Sequence, residues 1–116
     1  MRYLLILTQV EDAWEHAPPG QGDRVREQYD AIERELNARG KLIEAVRLRP
    51  RREARTLRNL STDERILIHG PFADAREAMG GYYLIECHSM DEAIEWAKRM
   101  PNFGHGSVEV RPLDDA

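Results

Sequence analysis

A chain of 116 residues suffices for one hydrophobic core and is marginal for two, so a single domain over residues 1–116 is expected. Its 41% hydrophobic and 33% charged composition belongs to a folded globular protein, and a formal charge of −4 argues against a nucleic-acid-binding surface. The lone Cys87 allows no intrachain disulfide and suits a reducing cytosol, and no apolar run approaches the length of a membrane span, so a soluble cytoplasmic protein is expected.

The opening MRYLLILTQV has too short an apolar run for a signal-peptide core. Its unbroken Tyr3–Leu7 segment predicts a strand over 2–8, buried on both faces. Residues 9–22, with Pro18-Pro19-Gly20, read as a loop. Asp23 is expected to cap a helix in which Val25, Tyr29, Ile32 and Leu36 recur at helical spacing, closed by Gly40. Lys41–Leu48 reads as a second strand, Arg49-Pro50-Arg51 as a turn, and Ala54–Arg58 with Arg65–His69 as a hairpin around Asn59–Glu64. Gly70-Pro71 stops the hairpin, because proline cannot donate to a ladder. A loop over 70–79 then leads to Gly80-Gly81, read as a hinge, where a positive φ is expected at one of the two glycines. Tyr82–Cys87 is a further strand. Ser89 and Glu92 form a capping box that opens a helix, with Met90, Ala93, Ile94, Ala97 and Met100 inward. Ser107–Pro112 alternates valines with charges, as a half-buried strand does.

This order, β-α-β-(β-hairpin)-α-β, predicts an α+β fold: a ferredoxin-like split βαβ sandwich with an extra hairpin. Two helices cover only one face of such a sheet. Tyr3–Leu7 and Tyr82–Cys87 are apolar on both parities, so the second face needs a cover, and a second copy in an isologous homodimer is the economical one. A charge at whichever of Leu5 or Leu84 faces the partner is expected to break that dimer.

Residues 69–113 carry a motif. His69-Gly70-Pro71-Phe72-Ala73-Asp74, then Arg76-Glu77, then Gly80-Gly81-Tyr82-Tyr83-Leu84-Ile85 follow at matching spacing a pattern of Asp-Gly-Pro-Phe-Ala-Glu, a Lys-containing turn and Gly-Gly-Tyr-Tyr-Leu-Ile. In this the chain resembles the bacterial YCII-related family, in its Asp-Gly-Pro-Phe (DGPF) branch. Asp91-Glu92-Ala93, Trp96-Ala97 and Gly106–Pro112 also resemble family positions, and the N-terminal half matches more loosely. The resemblance implies a dimeric α+β barrel, a homodimer or higher oligomer, and a cavity for a small organic ligand. The family is mostly uncharacterised, so no reaction is implied. Two departures stand out: His69 replaces the motif's first Asp, and Asp74 replaces its Glu. Relatives outside this branch carry a His early in the first helix, paired with an Asp; Tyr29 stands near that place here, so the couple does not transfer.

Of the four histidines, His69 ends a strand before the Gly-Pro turn, where it would act as a general base oriented by Asp74. The plain alternative is a strand-end side chain that holds the loop. In the catalytic reading Tyr29, Phe72 and His105 line the ligand pocket, and His69 in place of Asp makes anion binding stronger in mildly acidic than in neutral solution. His105, between Gly104 and Gly106, suits a ligand site or a plain turn. No ligand spacing supports a metal site, no cofactor is expected, and no axial histidine supports haem. Cys87 reads as a small core hydrophobe. The six arginines of 47–58 lack interleaved aromatics and read as a solvated hairpin, not as a nucleic-acid patch. Two functions compete: a cofactor-independent enzyme using acid/base chemistry in the barrel cavity, and a non-catalytic ligand-sensing or accessory module linked to sigma-factor regulation, the latter by analogy alone.

Overall fold

The computed structural model describes residues 1–61, 63–71, 77–101 and 106–114. In chain order the elements are β1 (Arg2–Val10), α1 (Glu11–Glu15), α2 (Gln21–Ala38), β2 (Leu42–Arg47), a 3-10 turn (Arg51–Glu53), β3 (Arg55–Arg58), β4 (Ile66–His69), β5 (Glu77–Glu86), α3 (Met90–Lys98) and β6 (Ser107–Pro112). Strands β2-β5-β1-β6 form one antiparallel sheet in that order, and β3 and β4 form a separate two-stranded sheet. The sheet order and the two longer helices are those of the ferredoxin-like plan, so the α+β expectation holds.

The register explains the core. Leu5 lies opposite both Tyr83 and Val110, and Tyr3 opposite both Ile85 and Pro112. Successive side chains of a strand point to opposite faces. Tyr3, Leu5, Tyr83, Ile85 and Cys87 therefore share one face, where they are buried with Ile32 and Leu36 of α2 and Ala93 and Trp96 of α3. Leu4, Ile6, Val46, Tyr82 and Leu84 alternate onto the other face, away from the face on which α2 and α3 pack. Of the two candidate residues, Leu5 belongs to the helix-covered core and is fully buried, while Leu84 lies on the open face.

Local chemistry sets the ends of the helices. Gly20 stands at φ 83 as the N-cap of α2, so the helix starts at Gln21, ahead of the expected cap Asp23, which lies in its first turn. Gly40 at φ 68 closes α2, with the Lys41 amide donating to the Leu36 carbonyl at 2.9 Å. At α3 a variant of the capping box forms: the Glu92 amide donates to Ser89 Oγ at 3.2 Å, and Glu92 Oε2 reaches one residue past the cap to accept from the His88 amide at 2.7 Å.

Four expectations are corrected. The expected loop over 9–22 holds the last two residues of β1, where Gln9 and Val10 pair with Ala78 and Glu77, all of α1 and the start of α2. By the same pairing β5 starts at Glu77, so Gly80-Gly81 lie inside a strand and not at a hinge. Neither has a positive φ. What they provide is room: a β-carbon on Gly81 would lie 2.4 Å from the Val46 carbonyl oxygen. Finally, Trp96 and not Ile94 completes the inner face of α3. Trp96 is 5% exposed and Ile94 37%, and the guanidinium of Arg99 lies 4.7 Å from the Trp96 ring centroid.

The β3–β4 hairpin stands away from the sandwich as an arm. The radius of gyration is 16.2 Å, against roughly 13 Å for a compact chain of this length. Leu57, Leu60, Ile66 and Leu67 on the arm are all at least half exposed. Its base is fastened to α1: the Arg51 amide donates to Glu11 Oε1 at 2.8 Å, and Arg52 pairs with Glu15 at 3.2 Å. Arg47 pairs with Asp30 and Arg49 with Glu53. The arginine run is thus a set of ion pairs more than a free cationic surface.

Candidate functional site

α2 presents two stripes to the sheet. Val25, Ile32 and Leu36 enter the core. Beside them Gly22, Arg26, Tyr29 and Glu33, spaced four, three and four apart, follow one helical face. That second stripe borders a cleft of about 650 Å³, whose far side is the C-terminal end of β1 and the strands β2 and β5 at Arg47, Gly80 and Gly81. The two glycines matter here because side chains at their positions would collide with Val46 and Gln9.

A second lobe of about 410 Å³ runs between β1, β6 and α3, lined by Leu7, Ala97, Met100, Val108 and Val110. Leu7, Thr8, Gln9, Trp14 and Tyr29 line both lobes, so the two are adjoining parts of one concavity. Trp14 comes from α1, the short helix missed in the sequence. Both volumes fall in the range of small-molecule sites.

The polar groups of the cleft are organised around two phenols. The Tyr83 hydroxyl donates to Glu33 Oε1 at 2.6 Å, and the Tyr29 hydroxyl donates to the Pro101 carbonyl at 3.1 Å. Their ring centroids are 6.3 Å apart. Burial, then the hydrogen bond to the Glu33 carboxylate, pushes the Tyr83 phenol far above its ordinary value; burial also raises that of Tyr29, with Arg47 opposing both. Both hydroxyls stay protonated and are already engaged as donors, to Glu33 and to the Pro101 carbonyl. Among the described residues no group of three or more His, Cys, Asp or Glu side chains is placed to hold a metal ion.

Of the residues singled out in the sequence, Tyr29 lines this concavity. His69 does not: it is exposed at the end of β4 and borders a separate depression of about 410 Å³ with Glu11, Glu15, Arg51 and Arg52. Phe72, Asp74 and His105 lie outside the described residues. Cys87 is 2% exposed in the core, and burial first, then Glu92, pushes its thiol up, which makes it unreactive. Trp14, Arg26, Glu33 and Arg47 were missed. The spacing of Arg26, Tyr29 and Glu33 is visible in the sequence, but which side of α2 meets the sheet becomes known only with the fold.

A ferredoxin-like α+β domain with a two-lobed, small-molecule-sized concavity between its sheet and long helix is the class of protein these features define. The sequence pattern of the YCII-related domain matches residues 1–115, and the chain belongs to that family. It is 41% identical over 106 residues to Uncharacterized protein R00369 of Rhizobium meliloti (strain 1021), an alignment covering 90% of this chain and 82% of that protein. Among the described residues no helix is long and apolar enough to cross a membrane.

Proposed function

We propose that this chain is a small-molecule-binding protein whose ligand occupies the concavity between α2, α3 and the sheet, without a cofactor. The observation that carries the reading is the junction at Tyr29, where two lobes of ligand size share a wall and where Glu33, Tyr83 and Arg47 gather. Glu33, which accepts the Tyr83 hydroxyl, is the carboxylate this site offers for proton transfer, so turnover of the ligand separates an enzyme from a sensing module of the kind linked to sigma-factor regulation. A second reading puts acid/base chemistry at His69, for which the sequence offers Asp74 as orienting partner; the exposure of His69 at the arm-base depression favours it.

The partner in this reading is a second copy of the chain. The open face presents Leu4, Ile6, Val46, Tyr82 and Leu84 around the sheet centre, and a face of that composition is covered in stable proteins. Two sheets packed face to face make the dimeric α+β barrel.

The test of the ligand site is an amide NMR screen of the full chain against small organic fragments. Binding fragments shift resonances of Thr8, Tyr29, Gly80, Gly81 and Val108 together. Shifts confined to His69 and its neighbours, or to the open sheet face, contradict the proposed site.

A further inference from the structure

Resting on that reading of the concavity, we propose that its occupant is an aliphatic carboxylate, with the acid group at Arg26 and Arg47 and the hydrocarbon body passing Tyr29 into the lobe formed by Leu7, Ala97, Met100, Val108 and Val110. Among the described residues four charged side chains border the larger lobe: Asp23, Arg26, Glu33 and Arg47. Their sum is neutral, but they are not equally committed. Glu33 already accepts the Tyr83 hydroxyl. Asp23 lies in the first turn of α2, where the free helical amides compensate a negative charge. Arg47 holds Asp30 at 3.4 Å with its side chain 56% exposed, an ion pair readily exchanged for a ligand. Arg26 makes no ion pair among the described residues. The uncommitted charge facing the cleft is therefore positive, and guanidinium groups match the planar geometry of a carboxylate.

The smaller lobe selects the other end of the molecule. Apart from Thr8, Gln9 and Ser107 its described lining is largely aliphatic, and the one charged side chain among the described residues there, Lys98, pairs with Glu95 at 3.0 Å. Trp14 and Tyr29 are the aromatic groups among the described lining residues, and both stand where the lobes adjoin. A flexible apolar chain that runs from the arginines across Tyr29 uses both lobes; a compact polar molecule uses only one.

The experiment is calorimetric titration of the full chain with hexanoate, octanoate and decanoate below their micelle concentrations, with decanol and decylamine as head-group controls. Affinity is expected to rise about fourfold per added methylene, and decanoate to bind more tightly than either control. The Arg26→Gln/Arg47→Gln double variant removes the advantage of decanoate over decanol, since both changes lie on exposed side chains. Ala97→Phe fills the smaller lobe and abolishes the gain from octanoate to decanoate; Val108→Ala, which spares the fold, weakens decanoate more than hexanoate. Decylamine binding as well as decanoate, or affinity indifferent to chain length, overturns the inference. If fragments shift the concavity resonances while no tail compound binds, the aliphatic acid is wrong and the ligand site stands. If neither does, both readings fall together.

Discussion

At Gly81 a β-carbon would lie 2.4 Å from the backbone oxygen of Val46, whereas at Gly80 its nearest neighbours are the end atoms of the Gln9 side chain at 2.8 Å and beyond. The first obstacle is a paired strand that cannot retreat without breaking its ladder; the second is a flexible side chain. Gly81→Ala is expected to cost about 2 kcal/mol or more, and Gly80→Ala distinctly less. Denaturant unfolding of the two variants checks this, and equal costs contradict it. Tyr83 supplies a pH signature. Its phenol keeps its proton longer in the folded than in the unfolded chain, so its stabilising contribution is complete below about pH 10, where the unfolded phenol ionises, and is lost as pH rises beyond it. Tyr83→Phe should lower stability at pH 7 by about 1–2 kcal/mol, through the lost bond to Glu33, and should flatten the alkaline fall in stability. A variant whose alkaline unfolding is as steep as that of the parent counts against that bond.

The arm depends on its base. An isolated two-stranded hairpin is marginal in water, and the described contacts that steady this one run from Arg51 and Arg52 to Glu11 and Glu15 of α1. Glu11→Gln is therefore expected to speed tryptic cleavage at Arg55, Arg58 and Arg65 several-fold with little change in the global melting temperature; unchanged cleavage means that something else holds the arm. The elements also mark where sequence was sufficient. The hairpin pairing, the alternation of β6 and the Ser89 box are local signals, and each appears at its expected place. A five-residue helix such as α1 is too short to display a period, and so it read as loop. Gly80-Gly81 looked like a hinge because two glycines before an apolar run carry the same local signature whether the chain turns or passes close under a neighbour. The neighbour, β2, is distant in sequence. Trp96 was missed for a related reason: the stripe through Ala93 and Ala97 is shared by Ile94 on one flank and Trp96 on the other, and only packing against Arg39 and Arg99 decides which turns inward. The cleft is less legible still, since Trp14, Tyr29, Arg47 and Gly81 come from four elements.

For the whole molecule, the helix-covered face is complete and the opposite face is not. If the proposed dimer forms, it should bury more than about 2,000 Å² in total, and Leu84→Asp, on the open face, is expected to turn it into a folded monomer in sedimentation. Leu5→Asp, with no exposure in the parent, should unfold the chain, because an unpaired buried charge costs several kcal/mol. A parent that sediments as a monomer at micromolar concentration removes the dimer. The dimer and the ligand site are separate claims, since the concavity is bounded by elements of one chain.

The central claim is that the two lobes meeting at Tyr29 form one ligand site, and a crystal structure of the full chain soaked with decanoate addresses it directly. The account predicts continuous density that begins between Arg26 and Arg47, passes Tyr29 and ends against Met100 and Val108. Decanoate bound elsewhere, with the concavity filled by the chain's own side chains or by water alone, contradicts it.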